Sequence, residues 1–293
     1  MRSTFLLLMF AVCAAAQTDV YLLGGQSNAT GQGYMRNLPD GWTPDARVLL
    51  FASEGKRVNP EHPGGGLKSG AEAYAWIPLH QASESPDRFG PELGFGNRMQ
   101  ELTPNRHVAI VKHAWSGTNL YKDWSPGKDA SDSANWGSQF GAFVDTVNQA
   151  MAQLNRRGVH PVIRGMLWQQ GESDAADAAR QYAANLTHFI ARVREQFQAP
   201  DLVFIYGYVC PPPGKRGGCE VIRQAERDLD QISGSRLAVR NAFVVETDDL
   251  SQRADDPGTP LPGDHVHFGS AGTLGLGQRF AERMYQVLHN TLR

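Results

Sequence analysis

Residues 20–33 read VYLLGGQSNATGQG, a short apolar run followed at once by glycines and polar residues. The run VYLL lacks the alternation of a half-exposed strand and is typical of a parallel strand with both faces buried. The glycines permit a sharp turn, so Ser27 is expected just beyond the carboxyl end of the strand. In an open α/β sheet ligands bind at that edge. Residues 20–33 therefore predict both a buried first strand and a site beside it.

Similar apolar runs recur along the chain and alternate with helical patterns. Strands are predicted at residues 20–23, 47–51, 107–113, 162–168, 202–208 and 242–247. Helices are predicted at about 90–102, 138–157, 175–197, 216–233 and 270–290. This alternation indicates the α/β class, with helices on both faces of an open parallel sheet.

Two irregular stretches, about 52–91 and 114–136, interrupt this alternation. No linker or shift in composition separates a second domain, so we interpret both as loop insertions in a single domain covering residues 17–293. The first insertion is a candidate wall of the cleft. The second carries the aromatic residues Trp115, Tyr121 and Trp124.

The composition restricts the class of partner. The 293 residues include 28 Lys and Arg against 30 Asp and Glu, a formal net charge of −2. Without a basic run the chain lacks the source of phosphate attraction, so nucleic acid is not an expected partner. The 41% hydrophobic and 20% charged residues are ordinary for a globular protein with a packed core.

The N-terminus has the charged, apolar and small-residue order of a secretory signal peptide. Arg2 precedes an apolar stretch at 5–12, and alanines follow at 14–16. We therefore expect residues 1–16 to be removed by cleavage near Ala16 and the protein to be secreted or periplasmic. The apolar stretch is too short to cross about 30 Å of hydrocarbon, and no comparable run follows, so no membrane span is expected.

Cleavage would also remove Cys13 and leave Cys210 and Cys219 in the segment CPPPGKRGGC. An even pair that closes a short loop in an oxidising compartment predicts a disulfide, with two free thiols as the alternative. A lipid anchor on Cys13 is disfavoured because Phe10 stands where a small apolar residue is expected.

Three interpretations of the Ser27 segment compete. A phosphate-binding loop requires GxGxxG or GxxxxGK[ST] spacing, which the glycines fit poorly, and no lysine follows. A plain turn would use Ser27 or Asn28 only to cap a helix. The third interpretation makes Ser27 a nucleophile, which requires a neighbouring base.

The segment GDHVHFGSAG near the C-terminus offers that base. Asp264 and His267 are three residues apart, so the carboxylate can orient the imidazole and leave its Nε2 free to accept a serine proton. His265 is a competing base. A metal site of Asp264, His265 and His267 is an alternative, but no HExxH motif or second cluster supports it, and neither metal nor cofactor is expected.

Two further segments offer donors for an oxyanion. HAWSGTN follows the third predicted strand and supplies the backbone N–H of Gly117, while LWQQGESD follows the fourth and supplies the amide of Gln170. Alternatively Gly117 is a turn glycine, and Ser173 or Asp174 caps a helix.

The segments GGQSNATGQG, WSGTNL, WQQGESD and DHVHF resemble the four blocks of the SGNH hydrolase superfamily. They are most similar to its carbohydrate acetylesterase branch, carbohydrate esterase family 6 with its sialate O-acetylesterase-like relatives. The resemblance implies a flavodoxin-like three-layer α/β/α sandwich, and metal-free hydrolysis of acetyl esters on sugars. An acetylated carbohydrate is therefore the expected partner. Trp115, Tyr121 and Trp124 are candidates for stacking on its sugar rings, with packing in the core as the alternative for each.

By this resemblance Ser27 is the nucleophile, and its N–H joins Gly117 and Gln170 in the oxyanion hole. His267 is the base and Asp264 orients it. The chain has Gln170 where the wider superfamily has asparagine. It also has Gln169 and Ala29 where the branch often has His and Met.

Glu172 in QGES is the alternative acid. We favour Asp264 because its three-residue spacing from His267 supplies proximity without any tertiary contact.

The sequence thus predicts a secreted carbohydrate O-acetylesterase, acting on acetylxylan or a related acetylated sugar through an acetyl-serine intermediate. One alternative is a lipase or thioesterase on the same scaffold. Another is a carbohydrate-binding protein without catalysis.

Overall fold

The first strand divides its side chains between two apolar cores. In this strand, β1 (Gln17–Gly25), Val20 and Leu22 lie in one core while Tyr21 and Leu23 lie in the other. All four are at most 2% exposed. A strand covered on both faces has no need of polar alternation, which explains the uninterrupted run VYLL.

The computed structural model of the protein describes residues 17–54, 65–68, 72–210 and 217–290. The expected signal peptide, residues 1–16, lies outside the described residues, as do parts of the 52–91 insertion. Within the described ranges no helix has the length and apolar character that a membrane crossing requires.

The structure contains nine described strands and seven described α-helices. The other strands are β2 (Gly33–Tyr34), β3 (Leu49–Ala52), β4 (Ile77–Pro78), β5 (Arg88–Phe89), β6 (His107–Lys112), β7 (His160–Gln169), β8 (Val203–Gly207) and β9 (Ala242–Val245). The helices are α1 (Ser27–Thr30), α2 (Pro91–Leu102), α3 (Ser138–Arg156), α4 (Asp174–Asp177), α5 (Tyr182–Gln196), α6 (Cys219–Leu229) and α7 (Ser270–Leu288).

Seven strands form one sheet in the order β4-β3-β6-β1-β7-β8-β9. All six predicted strands are present and parallel, and only β4 is antiparallel. The predicted α/β fold is confirmed. The first strand lies between the third and fourth parallel strands, whereas the flavodoxin order places it between the second and third. The chain leaves β1 for one side of the sheet and fills the other side later, so the binding crevice of an open sheet is expected beside β1.

Helices cover both faces of this sheet. Helices α2 and α7 pack on one face and contribute Phe95 and Phe280 to its core. Helices α3, α5 and α6 cover the other face, with Phe143, Phe189 and Ile222 in the second core. The arrangement is a single three-layer α/β domain.

Two helix predictions are wrong in their extent. The helix predicted at 175–197 leaves the α conformation at Ala178, continues as a 3₁₀ turn over Ala179–Gln181 and resumes as α5. At this break the backbone of Gly218 approaches so closely that a Cβ there would lie 2.0 Å from the Ala175 carbonyl oxygen. The helix predicted at 216–233 begins only at Cys219, because Gly218 has a φ of +75° that an α-helix excludes.

The 52–91 insertion contributes two short strands that the sequence did not predict. Strand β4 pairs with β3 and so forms one edge of the seven-stranded sheet, and β5 pairs with β2 in a separate two-stranded sheet. This second pairing brings the end of the insertion next to the segment that follows Ser27.

A buried ion pair joins the sheet to these loops. Lys112 at the end of β6 and Glu92 in α2 have no solvent exposure and form a salt bridge. The Lys112 ammonium also donates to the carbonyl oxygens of Thr30, at 2.9 Å, and Ala82, at 2.6 Å. The other Glu92 oxygen accepts the backbone N–H of Ala82 and Gly90, each at 3.0 Å. A buried charge pair is tolerated when its remaining hydrogen-bonding capacity is used in this way.

The predicted disulfide between Cys210 and Cys219 is confirmed. Cys210 follows β8, and Cys219 is the first residue of α6. The bond therefore fixes the start of that helix to the carboxyl edge of the sheet.

Replacing both cysteines, Cys210→Ser with Cys219→Ser, is expected to lower the free energy of unfolding by about 2.5–3 kcal/mol. The reason is that closing a loop of about ten residues restricts the unfolded chain by that amount. Urea denaturation of the wild type and the double variant measures the difference, and reductant added to the wild type should reproduce it. Equal midpoints under oxidising and reducing conditions would contradict the prediction.

Candidate active site

Ser27 lies at the carboxyl edge of the sheet because glycines shape the turn between β1 and α1. Gly25 has a φ of +135°, and a Cβ there would lie 2.2 Å from the Gln169 carbonyl oxygen. Gly31, with a φ of +99°, ends the single turn of α1 against the backbone of Gly90. Only glycine fits these two positions.

The structure brings Ser27, His267 and Asp264 into one hydrogen-bonded chain. Ser27 Oγ lies 3.0 Å from His267 Nε2. His267 Nδ1 lies 2.8 Å from Asp264 Oδ2 and 3.0 Å from Oδ1. The carboxylate accepts from Nδ1–H and so selects the imidazole tautomer whose Nε2 is unprotonated. This geometry allows the imidazole to accept the Ser27 proton.

The environment keeps Asp264 ionised. Burial raises the pKa of this half-buried carboxyl, but the hydrogen bond and charge of His267 and the backbone N–H groups of Val266 and His267 outweigh it. The result is a pKa of about 2. Asp264 is therefore a carboxylate throughout the neutral range, as the partner of an imidazolium must be.

Glu172, the alternative acid, contacts a different residue. Its Oε1 accepts a hydrogen bond of 2.9 Å from Asn28 Nδ2. Of the two acids considered, Asp264 is the one within hydrogen-bond distance of His267.

Two residues that line the cleft around Ser27 are candidates to donate a backbone N–H to a ligand. Gly117 and Ser27 both line it, and neither N–H donates to an acceptor among the described residues. Gly117 has a φ of +76°, and a Cβ there would meet open space. Its loop is held to the nucleophile segment because Trp115 N–H donates to the Gly25 carbonyl at 3.0 Å, and the hydroxyls of Ser116 and Thr30 are 3.1 Å apart.

The structure does not bring the Gln170 amide into the cleft, which corrects its expected place in the oxyanion hole. Gln170 is buried, and its Nε2 donates to Gln26 Oε1, the Thr118 carbonyl and Asp174 Oδ2. Gln26 lines the cleft instead, and its own Nε2 has no acceptor within the described part of the chain. Sequence reasoning missed Gln26, although it precedes Ser27 directly.

Asp174 connects the Gly117 loop to the segment after β7. This fully buried carboxyl accepts the backbone N–H groups of Leu120, at 2.8 Å, and Tyr121, at 3.3 Å, together with the Gln170 amide. Burial raises its pKa, and these hydrogen bonds oppose the rise. Asp174 therefore joins two loops by hydrogen bonds, and it is also the first residue of α4.

Two of the three aromatic candidates lie in the core. Trp124 has no exposure and packs edge-on against Trp168, and Trp115 is 1% exposed. The prediction that either ring stacks on a sugar is wrong, because neither presents a face to solvent. Tyr121 is 41% exposed and remains available.

The cleft around Ser27 is small, with a volume of about 290 Å³, and most of the residues that line it have polar or charged side chains. Val266 is the one apolar side chain among the described residues that line it. The lining residues are Gln26, Ser27, Gln32, Glu84, Arg88, Ser116, Gly117, Glu172, Ser173, Arg253, Val266 and His267.

One wall of the cleft is a charged network centred on the buried side chain of Gln32. Its Oε1 accepts from Arg88 Nη1 at 2.9 Å and from Arg253 Nη1 at 3.0 Å, while its Nε2 donates to Glu84. Glu84 and Arg88 belong to the 52–91 insertion. Local sequence gave no signal for these residues because their neighbours in the cleft are distant along the chain.

His265 is separated from the other two members of the alternative metal site. Its Nδ1 lies 2.9 Å from Gln252 Oε1, whereas Asp264 and His267 bond each other. In the described ranges, no cluster of three or more His, Cys, Asp or Glu side chains is arranged to hold a metal ion.

Comparison with known proteins gives a consistent family. Residues 17–286 match the family model described as "Carbohydrate esterase, sialic acid-specific acetylesterase". A probable carbohydrate esterase of Arabidopsis thaliana is 21% identical over 282 residues, which are 90% of this chain and 89% of the relative. The crystal structure of an Arabidopsis thaliana protein superposes with a TM-score of 0.65 at 20% identity, covering 94% of this chain and 99% of the other. The crystal structure of NanS gives a TM-score of 0.65 at 16% identity, covering 95% and 100%.

Asp264→Asn is expected to lower kcat for hydrolysis of p-nitrophenyl acetate by about 10³–10⁴-fold. The amide would stabilise the wrong imidazole tautomer and would not balance the imidazolium charge. Glu172→Gln should cost much less, because Glu172 contacts Asn28 rather than the imidazole. Steady-state kinetics of both purified variants decides between the acids, and a larger kcat loss for Glu172→Gln would reverse the assignment.

Proposed function

The chain belongs to the carbohydrate esterase family of sialic acid-specific acetylesterases, and we propose that it removes O-acetyl groups from carbohydrates through an acetyl-Ser27 intermediate. It is a carboxylic ester hydrolase by this membership. The observation that carries the proposal is the chain of hydrogen bonds from Ser27 through His267 to Asp264, at a small cleft whose lining residues mostly have polar side chains.

In the proposed first step, His267 Nε2 takes the Ser27 proton as Oγ attacks the acetyl carbonyl carbon. The negative charge on the carbonyl oxygen is stabilised by the N–H groups of Ser27 and Gly117, neither of which donates to another described residue. The Gln26 amide, which has no acceptor among the described residues, is the candidate third donor in place of Gln170. The imidazolium then protonates the sugar oxygen, and the carbon–oxygen bond to the sugar breaks.

In the second step, His267 accepts a proton from water as the water oxygen attacks the acetyl-Ser27 carbonyl. The tetrahedral intermediate collapses, the proton returns to Ser27 Oγ, and acetate leaves. Asp264 remains ionised throughout and stabilises the imidazolium in both steps.

The cleft supports an acetyl group over a long acyl chain. A lipase or thioesterase needs a deep apolar channel, and Val266 is the one apolar lining side chain in the part of the chain that the structure describes. A purely carbohydrate-binding role is disfavoured because a ligand site has no need of a serine hydroxyl 3.0 Å from an imidazole that a carboxylate orients.

We propose that Glu84 and Arg88 contact the sugar. Both are partly exposed in the cleft, and Gln32 fixes them on the wall that includes Arg253. A carboxylate that accepts and a guanidinium that donates can bind neighbouring sugar hydroxyls together.

We also propose that the protein is exported after cleavage near Ala16. The disulfide between Cys210 and Cys219 supports this, because structural disulfides persist mainly in oxidising compartments.

Acetate release from acetylated xylan, acetylated sialic acid and simple acetylated sugars tests the proposed activity. Ser27→Ala is expected to reduce kcat by about 10⁴-fold or more on the best of these substrates, since it removes the nucleophile. The exposed Ser131→Ala serves as the matched control and should retain full activity. A Ser27→Ala enzyme with the wild-type rate would end the proposal, and p-nitrophenyl octanoate preferred over the acetate would favour a lipase.

Arg88→Ala is expected to raise KM for an acetylated sugar about 10- to 100-fold and to leave KM for p-nitrophenyl acetate nearly unchanged. The loss of one charged hydrogen bond is worth about 1.5–3 kcal/mol, and the aryl ester has no hydroxyl to occupy that site. Arg98→Ala, on the exposed side of α2, is the control. Equal changes in KM for the two substrates would show that Arg88 does not contact the sugar.

A further inference from the structure

The side chain of Asn28, the residue after the nucleophile, is hydrogen-bonded to the segment that carries the base. Asn28 is 2% exposed, and its side-chain amide makes three hydrogen bonds. Its Nδ2 donates to the Val266 carbonyl at 3.1 Å and to Glu172 Oε1 at 2.9 Å, and its Oδ1 accepts the Phe268 N–H at 3.0 Å.

Val266 and Phe268 are the residues immediately before and after His267. One amide therefore holds the backbone on both sides of the base, and that amide belongs to the residue next to Ser27. Because these hydrogen bonds of Asn28 to Val266 and Phe268 are so close to the reacting atoms, they set the separation of Ser27 Oγ and His267 Nε2. A serine and a histidine 240 positions apart are thus aligned by one side chain.

Glu172 determines which way this amide faces. Its carboxylate only accepts, so it selects the orientation in which Asn28 Nδ2 points towards it. The reversed amide would place Oδ1 against both the carboxylate and the Val266 carbonyl, and Nδ2 against the Phe268 N–H. Acceptors would then face acceptors and a donor would face a donor, which is costly in a buried site, so Glu172 and Val266 together specify one amide orientation.

We infer that Asn28 and Glu172 form a positioning pair that holds the base in register with the nucleophile, an inference that rests on the proposed serine esterase function. In this pair Glu172 acts on His267 through Asn28. The inference gives the glutamate of QGES a role other than that of the triad acid.

The other hydrogen bonds of the His267 segment show what would change if the Asn28–Glu172 pair were lost. Arg253 N–H donates to the His267 carbonyl at 2.8 Å, and Ala254 N–H donates to the Asp264 carbonyl at 3.0 Å. These bonds and the Asp264–His267 contact do not involve Asn28. Without Asn28 the acid and base therefore stay paired, but their alignment with Ser27 loosens.

A double-mutant cycle on kcat for p-nitrophenyl acetate tests this dependence. Asn28→Ala is expected to lower kcat about 100-fold, a loss of the size that a misplacement of about 1 Å produces, with KM nearly unchanged. Glu172→Gln alone should lower kcat about tenfold. If Glu172 acts through Asn28, the double variant should match Asn28→Ala, because the second change has nothing left to act on. A double variant about 1000-fold down, the product of the two effects, would overturn the inference.

A second pair of variants predicts an effect of opposite sign. Asn28→Asp places a carboxylate against Glu172 and should lower kcat at least as much as Asn28→Ala. Adding Glu172→Gln removes the like charge and supplies an amide donor, so it should recover about five- to tenfold of that loss. A further loss on adding Glu172→Gln would show that Glu172 acts independently of Asn28.

The pH profile of kcat/KM distinguishes positioning from direct action. The lower apparent pKa of the profile reports the free base. Asn28→Ala and Glu172→Gln should leave it unchanged, since Asp264 still faces His267. If Glu172 acted directly on the imidazole, its neutralisation would move that pKa down, because a nearby carboxylate favours the charged imidazole.

Two controls keep the outcomes separable. Asn37→Ala and Glu101→Gln lie outside the cleft and should have wild-type kinetics, and thermal melting checks that each variant is folded. Labelling of Ser27 by a fluorophosphonate separates the two proposals. No labelling of the wild type would refute the serine mechanism itself. Labelling without acetate release from any sugar would refute only the carbohydrate substrate and leave the test of the pair intact.

Discussion

The ammonium of Lys112 is the contact on which the architecture of the site depends. It has no exposure, and it links the end of β6 to the last carbonyl of α1, to Ala82 and to Glu92 in α2. A buried cation requires nearly all its donors to be used, so these carbonyls and the carboxylate must converge at one point. Gly90 is squeezed into the same place, where a Cβ would lie 2.5 Å from both charged groups. The one-turn helix α1, which begins at Ser27, is thereby fixed at its last residue.

Around the reacting residues, the site is assembled by buried polar side chains rather than by apolar packing. The segments after β1, β6 and β7 leave the sheet at its carboxyl edge, where their backbone groups lose their strand partners and must find others. Asp174 accepts two such N–H groups from the loop of Gly117, and Asn28 satisfies both sides of His267. Each of these side chains has directional bonds, so together they specify positions that apolar contacts would leave less defined.

Features of the site that depend on residues close together in sequence were predicted, whereas features that depend on distant residues were not. The strands followed from apolar runs, and the contact of Asp264 with His267 follows from a three-residue spacing that a tight turn closes by itself. The inward orientation of Gln170 could not be predicted, because two of its three acceptors, Gln26 and the Thr118 carbonyl, lie on other segments. The sequence left open whether Trp124 stacks on a ligand or packs in the core, and its contact with Trp168 on β7 places it in the core. The composition of a loop does not say which of its residues turn inward.

The wall of the cleft and the triad share one buried cation, Arg253, which fixes their positions relative to each other. Arg253 lies 3.5 Å from Asp264, but its Nε and Nη2 donate to the Tyr34 hydroxyl and its Nη1 donates to Gln32. His267 Nδ1, at 2.8 Å, is the nearer partner of the carboxylate. Since Arg253 is held elsewhere, it does not displace the imidazole, and both Asp264 oxygens stay within 3.0 Å of His267 Nδ1. An imidazole whose Nδ1 is held in this way presents Nε2 to Ser27 in both halves of an ester hydrolysis, in which it must accept and donate a proton in turn.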